Sequence, residues 1–96
     1  MKYHFSPHAK RELEDATVYY DTISEALGDS FIDEFQRALS LIRRLPQAFT
    51  EFSVSTRQCQ LKRFPYLIVY RLQESEIEIV TVMHMAREPK YWTERG

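Results

Sequence analysis

Arg63-Phe64-Pro65-Tyr66-Leu67-Ile68-Val69-Tyr70-Arg71 and, after a short turn, Val82-Met83-His84-Met85-Ala86-Arg87-Glu88-Pro89-Lys90-Tyr91-Trp92 are the stretches that decide the fold. The first is a β-branched and aromatic run opened by Phe64-Pro65, and it predicts a strand from Tyr66 to Leu72. Gln73-Glu74-Ser75 is a polar turn, and Glu76 to His84 predicts the next strand. Upstream, from Thr56, the pattern has period two: Gln58, Gln60 and Lys62 face one way, Cys59 and Leu61 the other. The three runs form an antiparallel meander. Residues 46–55, which carry Phe49 and Phe52, read as a loop tucked under the sheet edge.

The first half of the chain has helical spacing. Lys2-Tyr3-His4-Phe5 alternates like a short strand that would join the sheet at an edge. Ser6 can then cap a helix and Pro7 fits its first position, where a backbone N–H is not needed. Ala9, Leu13, Ala16, Tyr20, Ile23 and Leu27 recur at steps of four and three, with Glu12, Glu14, Asp15 and Asp21 off that stripe. Gly28 suits a left-handed residue ending the helix. A second helix follows, capped by Asp29 or Ser30, with Asp33 and Glu34 in its first turns and Arg43 and Arg44 in its last. Phe31, Phe35, Ala38, Leu39, Ile42 and Leu45 form its apolar stripe, and Pro46 stops it. So short a connection makes the helices antiparallel. The fold class is α+β: an N-terminal strand and a helical hairpin packed on one face of a small, twisted antiparallel sheet.

Composition narrows function by exclusion. A chain of 96 residues is one domain, 1–96, and 44% hydrophobic with 28% charged residues is ordinary for a soluble globular protein. Two glycines leave no material for a glycine-rich phosphate loop, and a formal charge of −1 gives no bulk attraction to nucleic acid. Cys59 stands alone and reads as a buried strand thiol. His4 and His8 have no cysteine pair and no helical His-x₃-His around them, so no metal or other cofactor is expected. No run is long and apolar enough for a membrane span, and a cytoplasmic location is expected.

Two groups of residues can carry chemistry. Between Thr56 and Leu72 the cations Arg57, Lys62, Arg63 and Arg71 occur with no acid among them. They are either a site for phosphate or an acidic partner, or solvated charge that keeps strands from aggregating. His84 and Arg87, joined by Tyr91, form the second group. Imidazole can carry a proton near neutral pH, Arg87 can stabilise a phosphorane, and Tyr91 can position a nucleotide. The alternative is structural: His84 finishes a strand, Arg87 pairs with Glu88 or Glu94, and Tyr91-Trp92 close the core.

With the Arg57 strand, Phe64-Pro65-Tyr66, Val69-Tyr70-Arg71, His84-x-x-Arg87 and Pro89-x-Tyr91-Trp92 in this order after a helical hairpin, the chain resembles the RelE/ParE superfamily of type II toxins. The resemblance implies a growth-inhibiting toxin and a cognate antitoxin that wraps it and supplies the contacts to operator DNA. Two branches are open. RelE-like members cut mRNA on the ribosome and carry cations at positions that hold Gln58, Gln60 and Leu67 here. ParE-like members poison DNA gyrase by binding. A neutral amide or aliphatic side chain cannot stabilise phosphorane charge, which favours the ParE-like branch. The alternative is a ribosome-dependent endoribonuclease using His84, Arg87 and Tyr91. A folded but inactive antitoxin-binding relative is a third reading.

Overall fold

A computed structural model of the chain describes residues 1–86. The elements run β1 (Lys2–Phe5), α1 (Pro7–Ile23), α2 (Glu25–Arg44), β2 (Glu51–Ser53), β3 (Thr56–Gln60), β4 (Tyr66–Gln73) and β5 (Glu76–His84). The strands make one sheet in the order β1-β5-β4-β3-β2. The meander β3-β4-β5 is antiparallel, as its period and turns require. Two features differ from the sequence reading. β1 lies against β5 in parallel, so the sheet is mixed. The helical hairpin and the meander together supply the long crossover that a parallel pair needs. The expected 46–55 loop also contains β2, a three-residue edge strand whose pairing with β3 shifts register between Glu51 and Ser53.

Ser6 joins three elements. Its backbone N donates to Ile79 O at 2.9 Å, and its Oγ donates to Val80 O at 2.9 Å. The same Oγ accepts from Ala9 N at 3.0 Å as the cap of α1. The junction between the two helices departs from expectation, while α2 ends at Arg44 before Pro46 as its spacing requires. A single extended residue, Ser24, terminates α1 through its N–H to Tyr20 O and caps α2 by accepting from Leu27 N. Neither Asp29 nor Ser30 is the cap; both lie within α2. Gly28 is also helical, with no positive φ, and its role is one of space. A Cβ built on it would sit 2.9 Å from Asp21 Oδ1 and 3.0 Å from Asp21 Cα, so a bare backbone lets α1 and α2 approach.

The hairpin covers one sheet face. Phe31, Phe35, Leu39 and Ile42 of α2 and Ala9 and Ala16 of α1 are buried with Ile68, Tyr70, Ile77, Ile79 and Val82. Tyr20 is at the aromatic centre, its ring 5.1 Å from Phe31 and 4.9 Å from Phe64. Ile23 and Leu45, placed on the apolar stripes by spacing, are instead 58% and 53% exposed. Each is the last residue or cap of its helix. The two loop phenylalanines separate: Phe49 packs in this core beside Tyr70, Phe52 in a second cluster. That cluster, Leu67, Val69 and Met83 with Val80 and Met85, lies on the face away from the hairpin, as alternation along β4 requires.

Candidate functional site

β5 ends at His84, opposite Tyr66 in the ladder. Their rings meet edge to face at 5.1 Å, and His84 Nδ1 accepts the Ala86 N–H at 3.2 Å. His84 lines a cavity of about 360 Å³ with Glu12, Asp15, Ala16, Tyr19, Tyr66 and Val82. Among the described residues that wall contains two carboxylates and no Lys or Arg. Arg87 and Tyr91, the expected companions of His84, lie outside the described residues.

Glu12 is placed off the apolar stripe of α1 by its spacing. The structure turns it inward. Beyond Ile79, β1 no longer covers the outer edge of β5, and the Glu12 carboxylate takes its place. Oε1 accepts from Val82 N at 2.8 Å and from the fully buried Thr81 Oγ1 at 2.5 Å. Oε2 lies 3.2 Å from His8 Nε2. Its i, i+4 relation to His8 was a readable signal; the strand edge it would meet was not.

The four cations do not share a surface. Arg57 is registered with Tyr70, whose side chain faces the hairpin, and its Nη1 donates to Phe49 O at 2.7 Å. Arg63 follows β3 and pairs with Glu34 of α2, Nε to Oε1 at 3.0 Å. Arg71, on the opposite face, bonds Glu78 across the ladder at 2.8 Å. Lys62 is exposed at the end of β3. The basic sheet surface expected from sequence is thus not assembled. Strand alternation and neighbouring acids divide it. The outward face instead places Gln58 opposite Val69 and Gln60 opposite Leu67. These neutral positions stand side by side on that face.

Residues 3–89 match the sequence model of a family described as the ParE toxin of the type II toxin–antitoxin system, parDE. The chain belongs to the ParE toxin family. A search of the curated proteins finds no match. Among solved structures, this ParE-family chain is similar to one from the chromosomal ParDE toxin–antitoxin system of P. aeruginosa. The TM-score is 0.64 at 17% identity, over 88% of this chain and 95% of that one. At that identity the likeness shows a shared fold, one that includes the strand, helical hairpin and sheet described above.

Two further groups in this ParE-family toxin limit its chemistry. Burial pushes the Cys59 thiol above its ordinary range, which suits the expected buried strand thiol and not a nucleophile. Burial also pushes the Tyr70 phenol up to about 12, against a smaller opposing pull from Arg57, and its hydroxyl donates to Pro46 O at 2.6 Å. Among the described residues no group of three His, Cys, Asp or Glu is arranged to hold a metal. No described helix is long and apolar enough to cross a membrane.

Proposed function

We propose that this ParE-family chain arrests growth by binding DNA gyrase and that a cognate antitoxin neutralises it. Family membership supports the toxin role. The observation that carries the choice of a binding output is the environment of His84: Glu12 and Asp15 share its cavity, and no described Lys or Arg lines it. A nuclease site needs cations converging on one phosphate. Here Arg63 and Arg71 are tied to Glu34 and Glu78, and Arg57 to a carbonyl. Gln58, Gln60 and Leu67 likewise put no cation at those three outward positions.

In this reading the antitoxin buries apolar toxin surface, operator DNA is engaged only through the antitoxin, and the toxin works in the cytoplasm. Supercoiling by purified gyrase tests the target. Addition of the free toxin is expected to inhibit supercoiling and to trap cleaved DNA, and equimolar antitoxin to restore activity. Unaffected supercoiling, with new transcript ends mapped on translating ribosomes, would replace this reading with the endoribonuclease one.

A further inference from the structure

Helix α1 carries two apolar stripes, and only one of them is covered. Ala9, Leu13, Ala16 and Tyr20 pack into the core. On the other side Asp15, Val18, Tyr19, Thr22 and Ile23 stand at i, i+3, i+4, i+7 and i+8, a second continuous face. Val18 is 64% exposed, Tyr19 57% and Ile23 58%. Thr22 joins them as a largely apolar side chain, because its hydroxyl is spent on Val18 O at 2.7 Å. Large apolar side chains gathered on one exposed stripe mark an interaction surface, whereas singly scattered ones need no explanation. The stripe runs onto the rim of the cavity beside His84, since Asp15 and Tyr19 belong to both. The Tyr19 ring meets Tyr20 edge to face at 5.0 Å, and Tyr20 packs against the core, so the exposed ring is held in place. The buried Tyr66 provides a second aromatic wall. Of the two carboxylates in the lining, Glu12 is engaged with Thr81, Val82 and His8. Asp15 is within ion-pair distance of no cation among the described residues.

We propose that this face of α1 is where the toxin meets gyrase, with an arginine side chain of the enzyme seated in the cavity and apolar surface of the enzyme against Val18 and Ile23. The proposal rests on the reading of the chain as a gyrase-binding toxin, and names the surface and the chemistry of that contact. An uncommitted carboxylate beside aromatic walls selects a cation. A guanidinium suits it better than an ammonium, because it can form paired hydrogen bonds with Asp15 while its plane lies on the Tyr19 ring. An enzyme that grips DNA presents arginines for its phosphate contacts, so its surface carries the complementary charge. The apolar stripe selects a protein occupant, since a sugar–phosphate backbone offers neither a cation nor aliphatic side chains. A cavity of about 360 Å³ is at the small end of ligand sites and takes a side chain, not a helix.

The probe is purified gyrase holoenzyme, titrated over the immobilised full chain by surface plasmon resonance at several salt concentrations. Asp15→Lys is expected to weaken binding by about tenfold or more and to flatten its salt dependence. Asp33→Lys makes the same change in net charge at an exposed position of α2 outside the cavity, and is expected to stay within about twofold of wild type. Tyr19→Ala is expected to weaken binding about tenfold, while Tyr19→Phe keeps the ring and retains it. Val18→Asp is expected to weaken binding as well. All four positions are exposed, and melting followed by circular dichroism confirms that the variants fold. Unchanged affinity in Asp15→Lys and Tyr19→Ala, or an equal loss in Asp33→Lys, overturns the proposal. So does a loss of binding to the antitoxin, purified as the product of the adjacent reading frame, while gyrase affinity is untouched. A wild-type dimer in sedimentation that Val18→Asp separates assigns the stripe to a second copy of the chain and overturns it too. If the wild-type chain fails to bind gyrase at all, the gyrase-binding reading falls and the proposal with it; binding that ignores this face removes only the face.

Discussion

The Glu34 carboxylate grips Arg63 twice, Oε2 accepting its backbone N–H at 2.8 Å and Oε1 its Nε at 3.0 Å. A side chain in the middle of α2 thereby fixes the turn that carries the sheet from β3 to β4. Burial works against the carboxylate's charge, but these two bonds, with help from the Lys62 N–H, outweigh it and hold Glu34 below the usual carboxylate range. Only 7% of the residue is exposed, whereas the Arg63 side chain is 61% exposed. The two partners are therefore unequal in what they contribute.

Glu34→Ala should destabilise the fold by about 2–3 kcal/mol, because it strands a backbone donor that had a charge-assisted bond. Arg63→Ala should cost less than about 1 kcal/mol, as expected for a solvent-screened guanidinium. Urea denaturation of the two variants measures both. Similar losses would mean that the ion pair, and not the bond to the backbone, is what matters.

The same group sets an acid dependence. A carboxylate whose folded pKa is lowered gives stability that is fully present above its unfolded value, near 4.5, and lost as pH falls through the folded pKa. Wild type should therefore lose stability below about pH 4.5 more steeply than Glu34→Gln, which has no charge to neutralise. Chemical denaturation between pH 3 and 6, on the order of half-unit steps, compares the two slopes.

At the alkaline end Tyr70 acts in the opposite sense. Its phenol is pushed up to about 12 from an ordinary value of 10.0, so its contribution is intact below the unfolded value and lost as pH rises through that window. Tyr70→Phe should remove this part of the alkaline sensitivity, at a cost of about 1 kcal/mol near neutrality from the lost bond to Pro46 O. Ultraviolet titration should find one phenol that ionises last or only on unfolding. Its absence from the folded titration of Tyr70→Phe confirms the assignment.

Glu12→Ala should leave the Val82 N–H and the Thr81 hydroxyl without their acceptor, and destabilise by about 2–4 kcal/mol. Glu12→Gln, which keeps an oxygen in place, should lose less. Hydrogen exchange at the Val82 amide is the local readout. Protection that survives Glu12→Ala would show that the strand edge has another cover.

His84→Ala should leave growth arrest intact, since among the described residues the wall beside the imidazole carries the carboxylates of Glu12 and Asp15. Induced expression with plating for survivors is sufficient to measure this. Loss of arrest in a variant that still folds and still binds the antitoxin would return His84 to a catalytic role.

Much of this architecture can be read from spacing alone. The Glu76–His84 strand has the limits its alternation gives, and Ser6-Pro7 opens α1 as capping chemistry demands. Gly28 and Glu34 show where local reading fails. Glycine suggests a helix end, yet here the requirement is set by Asp21 on the neighbouring helix. Glu34 resembles a dipole-favoured surface acid only if the helix starts near Asp29; capped from Ser24, it falls mid-helix against the sheet. The cations were legible as a cluster along the chain but not as a surface, because alternation sends Arg57 and Arg71 to opposite faces.

The parallel ladder between β1 and β5 also dictates an order of events during synthesis. Lys2 is registered with Glu76 and Phe5 with Ile79, so the earliest strand made has its sheet neighbour among the latest described. Closing such a distant pair is slow relative to coiling the helices. A nascent chain on the ribosome therefore exposes an incomplete layer, with Ser6 and Glu12 awaiting their acceptor and donors, until residues near Val82 have emerged. The toxin cannot assume its finished shape before then.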